Sequence, residues 1–388
     1  MVEQIHSDPR DLVHVAAVGD ITLGDHPMTV GFGYDSVYRR NTGLSPFCNV
    51  LDDLSRADLV FGNLECTLSR AGENPNRYSS VQMRGRPDYL EHLRSAGFTV
   101  LNHATNHSMQ HGREPFIDTV RILHDAGIRT CGVREKFSAK AAPCRVEIRG
   151  RTMSFLGYNT RPRQYFVEEP LYVEGQFETM IEDVREAKRQ SDHVIVSLHW
   201  GEEFFPAPSP EELRLGRDLA DAGADLVVGH HPHVLRGLER HGRALVAYSL
   251  GNFICDMSWD ERLRETFILH CWIGLAGVER FEAVPIFIND MYLPEVVSGD
   301  RAYKIRRTLE SASSLLSNEN LEDYDAKSAR YAEDANTYIR EYRKKAHAFF
   351  LKNIHRYPKS ILIQQLGEFV HNRRNELVGI LRDRATIA

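Results

Sequence analysis

The sequence predicts an α/β domain followed by a helical extension, and three features of the chain support this fold class. Apolar runs with strand character alternate with amphipathic runs of helical spacing up to about Val297. Short polar motifs stand directly after several of the strand-like runs. From about Gly299 onward the chain is rich in charged residues and in good helix formers. We therefore expect a first domain over residues 1–298 and a helical extension over residues 299–388.

The first domain contains the predicted strands and the helices that connect them. The predicted strands are Val13–Val18, Leu59–Phe61, Phe98–Leu101, Thr152–Tyr158, Val194–Leu198, Leu226–Val228, Leu245–Ser249, Phe267–Ile273 and Arg280–Ile288. The predicted helices are Phe47–Leu54, Tyr89–Ala96, Phe116–Ala126, Glu178–Arg189 and Glu211–Ala222. This alternation favours a largely parallel sheet with helices on its faces. The last two strands follow each other without a helix, which favours an antiparallel pair and leaves a mixed sandwich open.

The extension is predicted to form two or three helices, over Arg301–Ser317, Asp325–Ile354 and Ser360–Arg384. Several of its aromatic residues recur at helical spacing and so share a face. Two hypotheses follow for that face. It packs on the first domain as a covering layer, or it forms a substrate cap or an oligomerisation surface through which the chain self-associates.

Composition excludes several classes of protein. The 388 residues carry a formal net charge of −6, which argues against general nucleic-acid binding because that needs a basic face. The six cysteines are far apart without a C-x-x-C pair, as expected for reduced thiols. The segment Met1–Asp11 is polar, and no run approaches the roughly 20 apolar residues of a membrane span. We therefore expect a cytoplasmic protein without a membrane span.

Carboxylate and amide side chains stand at the ends of the early strands. Asp20 follows the first predicted strand, and Glu65 follows the second, with Asn63 beside it. A glutamate in such a place can bridge two metals about 3.5–4 Å apart, although turns and caps use the same residue types. Asn106 can offer an amide oxygen to a metal, and the adjacent His107 can act on a leaving group. Asn106 and His107 are therefore the candidate catalytic residues.

Histidines follow the later strands. His199 ends a strongly β-forming run, and the stretch His230-His231-Pro232-His233 places three imidazoles in four residues. In an extended segment His231 and His233 lie on one side and can face a cation. Asn252 follows another strand, where it can orient a water or a histidine or simply form a turn. These ligand types predict two divalent ions such as Mn, Zn or Fe.

A zincin-type site is an alternative within the same region. His103, His107 and His111 are four residues apart, so a helix would align them. The segment lacks the glutamate that such a protease uses as its base. The spacing alone therefore does not favour this alternative.

Together these motifs resemble the CapA/PgsA family of capsule and poly-γ-glutamate synthesis proteins, within the calcineurin-like metallophosphoesterase superfamily. The matching stretches are Val18–Gly24, Gly62–Glu65, Ala104–His107, Leu198–Gly201, Gly229–Val234 and Tyr248–Phe253. The resemblance implies a four-layer α/β/β/α sandwich with a two-metal site between the ends of its sheets. It also implies roles for the matching residues: Asp20 and His233 as ligands of a first metal, Glu65 as the bridge, Asn106, His199 and His231 as ligands of a second metal, and His107 as the acid.

The chain departs from the superfamily pattern in three places. The usual Asp-x-His start has Thr22 in place of the histidine, so the first metal lacks an imidazole. Glu65 replaces the bridging aspartate, as is usual in the family, and Gln110 replaces an aspartate that often follows the Asn-His pair. Family members that make capsule often carry a membrane anchor, for which this sequence shows no candidate.

An anionic substrate, small or oligomeric, is expected to contact arginines and strand-end amides. Arg84, Arg86, Arg161 and Arg163 are candidate clamps, and Asn63 and Asn252 are candidate substrate contacts. Three functions remain open: a metal-dependent hydrolase of a phosphoester or an amide, a non-hydrolytic component of poly-γ-glutamate or capsule synthesis, and a metal-binding scaffold without catalysis. The sequence has no Walker loop, which argues against a P-loop ligase.

Overall fold

The protein is described here by a computed structural model covering residues 11–40, 45–134, 141–166, 169–317 and 324–367. Within these ranges two mixed sheets form the centre of the molecule. The expected α/β class is confirmed, and of the two arrangements left open by the sequence the structure has the mixed sandwich. The predicted segment Met1–Asp11 and the second half of the predicted helix Ser360–Arg384 lie largely outside the described residues.

The strands of the first sheet are β1 (Val13–Ile21), β2 (Leu59–Leu64), β5 (Phe98–Asn102), β6 (Arg129–Cys131), β13 (Asn252–Ile254), β14 (Glu265–Gly274), β15 (Gly277–Ile288) and β16 (Pro294–Val296). Their order in the sheet is β16-β15-β14-β1-β2-β5-β6, and β13 also pairs with β1. The strands β1, β2, β5 and β6 run parallel, whereas β14, β15 and β16 form an antiparallel meander. The antiparallel pair predicted from the sequence is therefore confirmed.

The strands of the second sheet are β7 (Cys144–Ile148), β8 (Arg151–Asn159), β9 (His193–His199), β10 (Leu226–His230), β11 (Leu238–His241) and β12 (Ala244–Ala247). Their order in the sheet is β11-β12-β10-β9-β8-β7. The four central strands are parallel, and the two edge strands are antiparallel to their neighbours. A separate small pair joins β3 (Thr67–Leu68) to β4 (Arg84–Gly85).

The α-helices pack around the two sheets. The helices are α1 (Tyr34–Tyr38), α2 (Leu51–Leu54), α3 (Tyr78–Val81), α4 (Leu90–Ser95), α5 (Arg113–Asp125), α6 (Phe177–Arg189), α7 (Pro210–Ala222), α8 (Gly299–Ser317) and α9 (Tyr324–Asn353). Short 3₁₀ turns occur at Pro87–Tyr89, Glu261–Leu263 and Ile354–Arg356, and residues 359–367 are helical. None of the helices in the described ranges is both long enough and apolar enough to cross a bilayer.

Three large apolar cores fill the spaces between neighbouring layers. Between the sheets, residues such as Phe61 of the first sheet pack against Phe155 and Ile195 of the second. A second core lies under the helices on the outer face of the first sheet, and a third joins the second sheet to α6 and α7. This is the four-layer α/β/β/α sandwich that the resemblance implies.

The helical extension packs on the sandwich. Ile305 and Leu309 of α8 belong to the core between the sheets, and Leu316 belongs to the core under α6 and α7. Tyr342 of α9 is buried in the core on the first sheet. The contacts agree with the covering-layer hypothesis, whereas self-association through this extension stays a prediction.

Candidate metal centre

The first sheet supplies two buried carboxylates at its strand ends. Asp20 lies near the end of β1, and Glu65 follows β2 directly. Neither carboxylate is exposed to solvent. Asn63 of β2 donates from Nδ2 to Asp20 Oδ1 at 2.8 Å, and Asn102 of β5 donates to Asn63 Oδ1 at 2.7 Å. This chain of amides fixes the carboxylate of Asp20 before any ligand binds.

The second sheet places an imidazole beside these carboxylates. His199 ends β9, and its Nε2 lies 3.5 Å from Glu65 Oε1. The same nitrogen lies 2.9 Å from Oδ1 of Asn106, in the turn after β5. Because parallel strands of both sheets end at the same edge, residues that are 134 positions apart in the chain become neighbours.

The segment after β10 supplies the remaining imidazoles. The backbone N–H of His231 donates to Asp20 Oδ2 at 3.1 Å, and Nδ1 of His233 lies 3.3 Å from the same oxygen. Nδ1 of His233 also lies 2.9 Å from Oδ1 of Asn252, which can only accept a hydrogen bond. The proton is therefore on Nδ1, and Nε2 of His233, 3.8 Å from Glu65 Oε1, is left as the donor atom toward a cation.

Two groups of potential ligands share Glu65. Asp20, Glu65 and His233 form one group, and Glu65, His199 and His231 form the other, with the ligand atoms of each group within 4.8 Å of one another. Neither carboxylate oxygen of Glu65 and neither ring nitrogen of His231 has a hydrogen-bond partner. Unpaired buried polar atoms are costly, and a divalent cation satisfies such atoms. The donor set therefore fits two metals.

Burial and mutual charge shift the pKa values in this cluster. Burial raises the pKa of Glu65 and lowers the pKa values of His199 and His231, so these imidazoles are neutral as metal ligands require. For Asp20 burial acts upward, but hydrogen bonds and charge from His230 and His233 hold its pKa well below the usual value. Burial lowers the pKa of His233, but the carboxylates of Glu65 and Asp20 raise it to about 10. The metal-free imidazole is therefore charged, and a cation at Nε2 would displace the proton from that nitrogen.

His107 lies at the mouth of the cluster. Its Nδ1 lies 2.7 Å from Oε1 of Gln110, and its ring contacts the half-exposed ring of Tyr165 at 4.9 Å. Burial lowers the pKa of His107 to about 4. The adjacent Asn106 donates from Nδ2 to Oε1 of Gln164 at 3.1 Å, so the 160–166 loop touches both predicted catalytic residues.

Comparison with known proteins places the chain in a family. Residues 14–257 match the family model described as bacterial capsule synthesis protein PGA_cap. The chain belongs to the PGA_cap family. The PGA biosynthesis protein CapA of Bacillus subtilis (strain 168) is 30% identical over 287 residues, covering 72% of this chain and 73% of the relative.

Two further relatives are similar to this PGA_cap protein. The capsule biosynthesis protein CapA of Bacillus anthracis is 29% identical over 290 residues, covering 70% of this chain and 67% of the relative. A probable polyglutamine synthesis accessory protein of Mycobacterium tuberculosis (strain CDC 1551 / Oshkosh) is 26% identical over 352 residues, covering 78% and 92%. The family match includes the strand-end residues described above and ends before the helical extension.

In this PGA_cap protein, two of the arginines expected to bind substrate are bound by other groups of the same chain. The guanidinium of Arg84 is buried and donates to the backbone carbonyls of Ser69, Ala71 and Ser80. Arg86 forms a surface ion pair with Asp88. These contacts hold both arginines against the protein, and their role in substrate binding stays a prediction.

The other two candidate arginines differ from each other. Arg163 forms ion pairs with Glu169 and Glu174 near the surface. Arg161 is the one whose charge acts on the cluster, since it contributes to lowering the pKa of His231. Its Nη1 lies 3.0 Å from Glu202 Oε1, while its buried Nε has no hydrogen-bond partner.

The two asparagines expected to contact substrate are also placed differently. Asn63 and Asn252 are fully buried, and they hold Asp20 and His233 respectively. Of the two roles considered for Asn252, orienting a histidine is the one that the contacts match.

The zincin-type alternative is not supported by the geometry. Nδ1 of His103 faces the carbonyl of Leu64, and Nε2 of His111 faces the carbonyl of Gln82. The segment between them is a succession of turns and not a helix. The three imidazoles therefore do not converge on one point.

A further donor group contains a residue that is not among those predicted from the sequence. Glu203, His231 and His233 have ligand atoms within 4.8 Å of one another. Asn102, which supports Asn63, is also absent from the prediction. Glu203 stands in the Trp200–Phe204 turn directly after His199, so a search of the residues flanking each strand-end histidine would have found it.

Proposed function

We propose that this PGA_cap protein is a two-metal hydrolase that cleaves a phosphoester or an amide of an anionic substrate of phosphate or glutamyl type. The observation that carries the proposal is that Glu65 belongs to two donor groups at once. A shared carboxylate suits two cations held about 3.5–4 Å apart. When bound, such cations supply Lewis acidity and lower the pKa of water from about 15.7 toward 7.

The ligand assignment proposed for each position follows the contacts. Asp20, Glu65 and His233 would hold the first cation, and Glu65, Asn106, His199 and His231 would hold the second; the donor set accepts Mn, Zn or Fe. Asn252 keeps Nε2 of His233 free by accepting from Nδ1. Asn63 keeps the carboxylate of Asp20 in place.

His107 is the proposed proton carrier. Oε1 of Gln110 can only accept, so Nδ1 of His107 carries the hydrogen. With a pKa of about 4, Nε2 is unprotonated near neutral pH and would have to take up a proton before it passes one to the leaving group. An aspartate at position 110 would stabilise the charged imidazolium, whereas Gln110 does not. We therefore expect this chain to cleave bonds whose leaving group is a weak base and departs with little help from a proton donor.

The anionic part of the substrate is proposed to bind at Arg161. This guanidinium lines a cavity of about 550 Å³ together with Trp200, Gly201 and Glu202, the residues that follow His199. Its buried Nε offers a donor that no protein group takes. The names of the relatives, PGA biosynthesis protein and polyglutamine synthesis accessory protein, support a glutamyl-type polymer as the substrate class.

A second candidate is a non-hydrolytic component of polymer synthesis acting on the same substrate class. The words "biosynthesis" and "synthesis accessory" in the names of the relatives favour it. In either case a cytoplasmic location and self-association are parts of the proposal that rest on the sequence alone.

The test measures metal-dependent turnover of p-nitrophenyl phosphate and of glutamyl oligomers by the full chain supplied with Mn²⁺ or Zn²⁺. His233→Gln should lower turnover at least about 100-fold, the range seen when one charge-stabilising group is lost. His103→Gln is the matched control, because this buried imidazole lies outside both donor groups. Binding of glutamyl oligomers without turnover would favour the non-hydrolytic candidate. Metal binding with neither turnover nor oligomer binding would leave the metal-binding scaffold, and no metal binding at all would overturn the proposal.

A further inference from the structure

The third donor group lies where the first two groups meet. Glu203 shares His233 with the group of Asp20 and shares His231 with the group of His199. Asp20, Glu65 and the imidazoles are buried, whereas Glu203 keeps partial exposure. Its carboxylate therefore borders the cluster from the solvent side.

The backbone holds Glu203 in this place at some conformational cost. The turn that carries it has positive φ at Gly201 (76°) and at Phe204 (65°). The segment opposite has positive φ at His231 (92°) and His233 (59°), which is uncommon for residues with a side chain. The N–H of Phe204 donates to the carbonyl of Pro232 at 2.8 Å and joins the two segments. Such strain persists where the surrounding structure fixes it, often at functional sites.

The charge of Glu203 acts on the cluster. It contributes to raising the pKa values of Glu65 and of His233, as a nearby negative charge does. In contrast, the adjacent Glu202 turns toward Arg161 and forms an ion pair with it at 3.0 Å. Two neighbouring glutamates thus have distinct surroundings, and only one of them faces the imidazoles.

The two metal positions differ in the number of donors available to them. The second position has four, from Glu65, Asn106, His199 and His231, whereas the first has Asp20, Glu65 and His233. Thr22 stands where an Asp-x-His motif has its imidazole, and its buried hydroxyl has no hydrogen-bond partner. The first position is therefore one protein donor short of the second.

We propose that Glu203 is a ligand of the cation that His233 binds, and that it supplies the donor for which Thr22 gives no imidazole. The inference rests on the two-metal centre of the proposed function. With Glu203 the first position has three carboxylates and one imidazole, an oxygen-rich set that suits Mn²⁺ better than Zn²⁺. The second position, richer in imidazole, suits either ion.

The test is a titration of the metal-free full chain with Mn²⁺. The electron paramagnetic resonance signal of the unbound ion measures how much Mn²⁺ is bound. The unmodified chain should bind two Mn²⁺. Glu203→Gln keeps the size of the side chain and should weaken one of the two sites at least about tenfold, since even indirect partners of a metal ligand change affinity 10–100-fold. Glu202→Gln is the control, because it removes the same charge one residue away, and both affinities should stay within about threefold.

Each outcome is decisive. Two unchanged sites in Glu203→Gln, or equal weakening by Glu202→Gln, would overturn the assignment of Glu203 while leaving the two-metal centre intact. An unmodified chain that binds no Mn²⁺ and no Zn²⁺ would overturn the proposed function, and the role of Glu203 with it. Circular dichroism of the three proteins checks that they share one fold.

Discussion

At the scale of single residues, Glu65 has a buried carboxylate that is costly for folding and suited to binding a cation. Its carboxylate is fully buried, yet neither oxygen has a hydrogen-bond partner. Burying such a group costs free energy of folding unless it is neutralised or paired. Burial raises its pKa and so favours the neutral acid, whereas the charge of His233 acts in the opposite direction. Its position agrees with the proposed role as a metal ligand and is not explained by packing.

Glu65→Gln is therefore expected to separate stability from metal binding. The amide resembles the protonated acid, so the metal-free variant should unfold within about 1 kcal/mol of the unmodified chain, in contrast to most buried substitutions. An excess of Mn²⁺ should stabilise the unmodified chain by about 2.7 kcal/mol at 100 times the dissociation constant, and the variant much less. Thermal unfolding with and without Mn²⁺ measures both, and a full metal response in the variant would contradict the bridging role.

At the scale of elements, α9 supports the turn that carries Glu203. The ring of Tyr342 stacks on Phe204 at 4.9 Å, and the ring of Phe204 lies 6.0 Å from that of His233. Phe205, the next residue, packs edge-on against Tyr331 and Tyr338 of the same helix. The helical extension thus reaches the metal centre through one layer of aromatic rings.

Tyr342→Ala should affect the centre without removing a ligand. Loss of a buried aromatic ring typically costs about 3–5 kcal/mol of stability, and here it also frees Phe204 to move. We expect lower unfolding stability together with weaker Mn²⁺ binding. Leu351→Ala is the control on the same helix, because that side chain is 67% exposed. Unchanged Mn²⁺ affinity in Tyr342→Ala would show that α9 only covers the sandwich.

At the scale of the whole molecule, buried neutral histidines link stability to pH. His14 of β1 and His270 of β14 are buried with Nε2 and Nδ1 2.9 Å apart, and neither belongs to a donor group at the metal centre. Burial lowers the pKa of both, and the neighbouring His14 adds to the effect on His270, whose pKa falls to about 3. The unfolded chain therefore binds protons that the folded chain excludes.

The sign of the pH effect follows from these lowered pKa values. The contribution of this histidine pair to the free energy of unfolding is fully present above the ordinary histidine pKa of about 6.5. It is lost as the pH falls toward 3. His270→Asn should reduce the loss by up to about 1.4 kcal/mol per pH unit in this window. Urea unfolding of the metal-free protein between pH 7 and about 4.5 measures the slope. His241→Asn, at a partly exposed histidine, is the control, and equal slopes in all three proteins would contradict the prediction.

Much of the fold could be predicted because its strands are buried and strongly apolar. The predicted Val13–Val18 lies within β1, and the predicted Phe267–Ile273 lies within β14. Short or half-exposed strands were beyond prediction: β7 alternates between intermediate and exposed residues, and β3 has two residues. Such strands are defined by pairing with a neighbour and not by their own composition.

For the candidate centre, the chain's own patterns were enough to predict which side chains stand at strand ends and which of them suit a metal, because His-Pro-His and strand-end carboxylates have few other uses in such number. The contacts of these side chains became visible only in the folded molecule. It turned Asn63 and Asn252 inward as supports, tied Arg84 to backbone carbonyls, and brought Glu203 beside His231 and His233. The physical reason is that local patterns fix which residues end a strand, whereas the direction of each side chain depends on contacts between segments far apart in the chain.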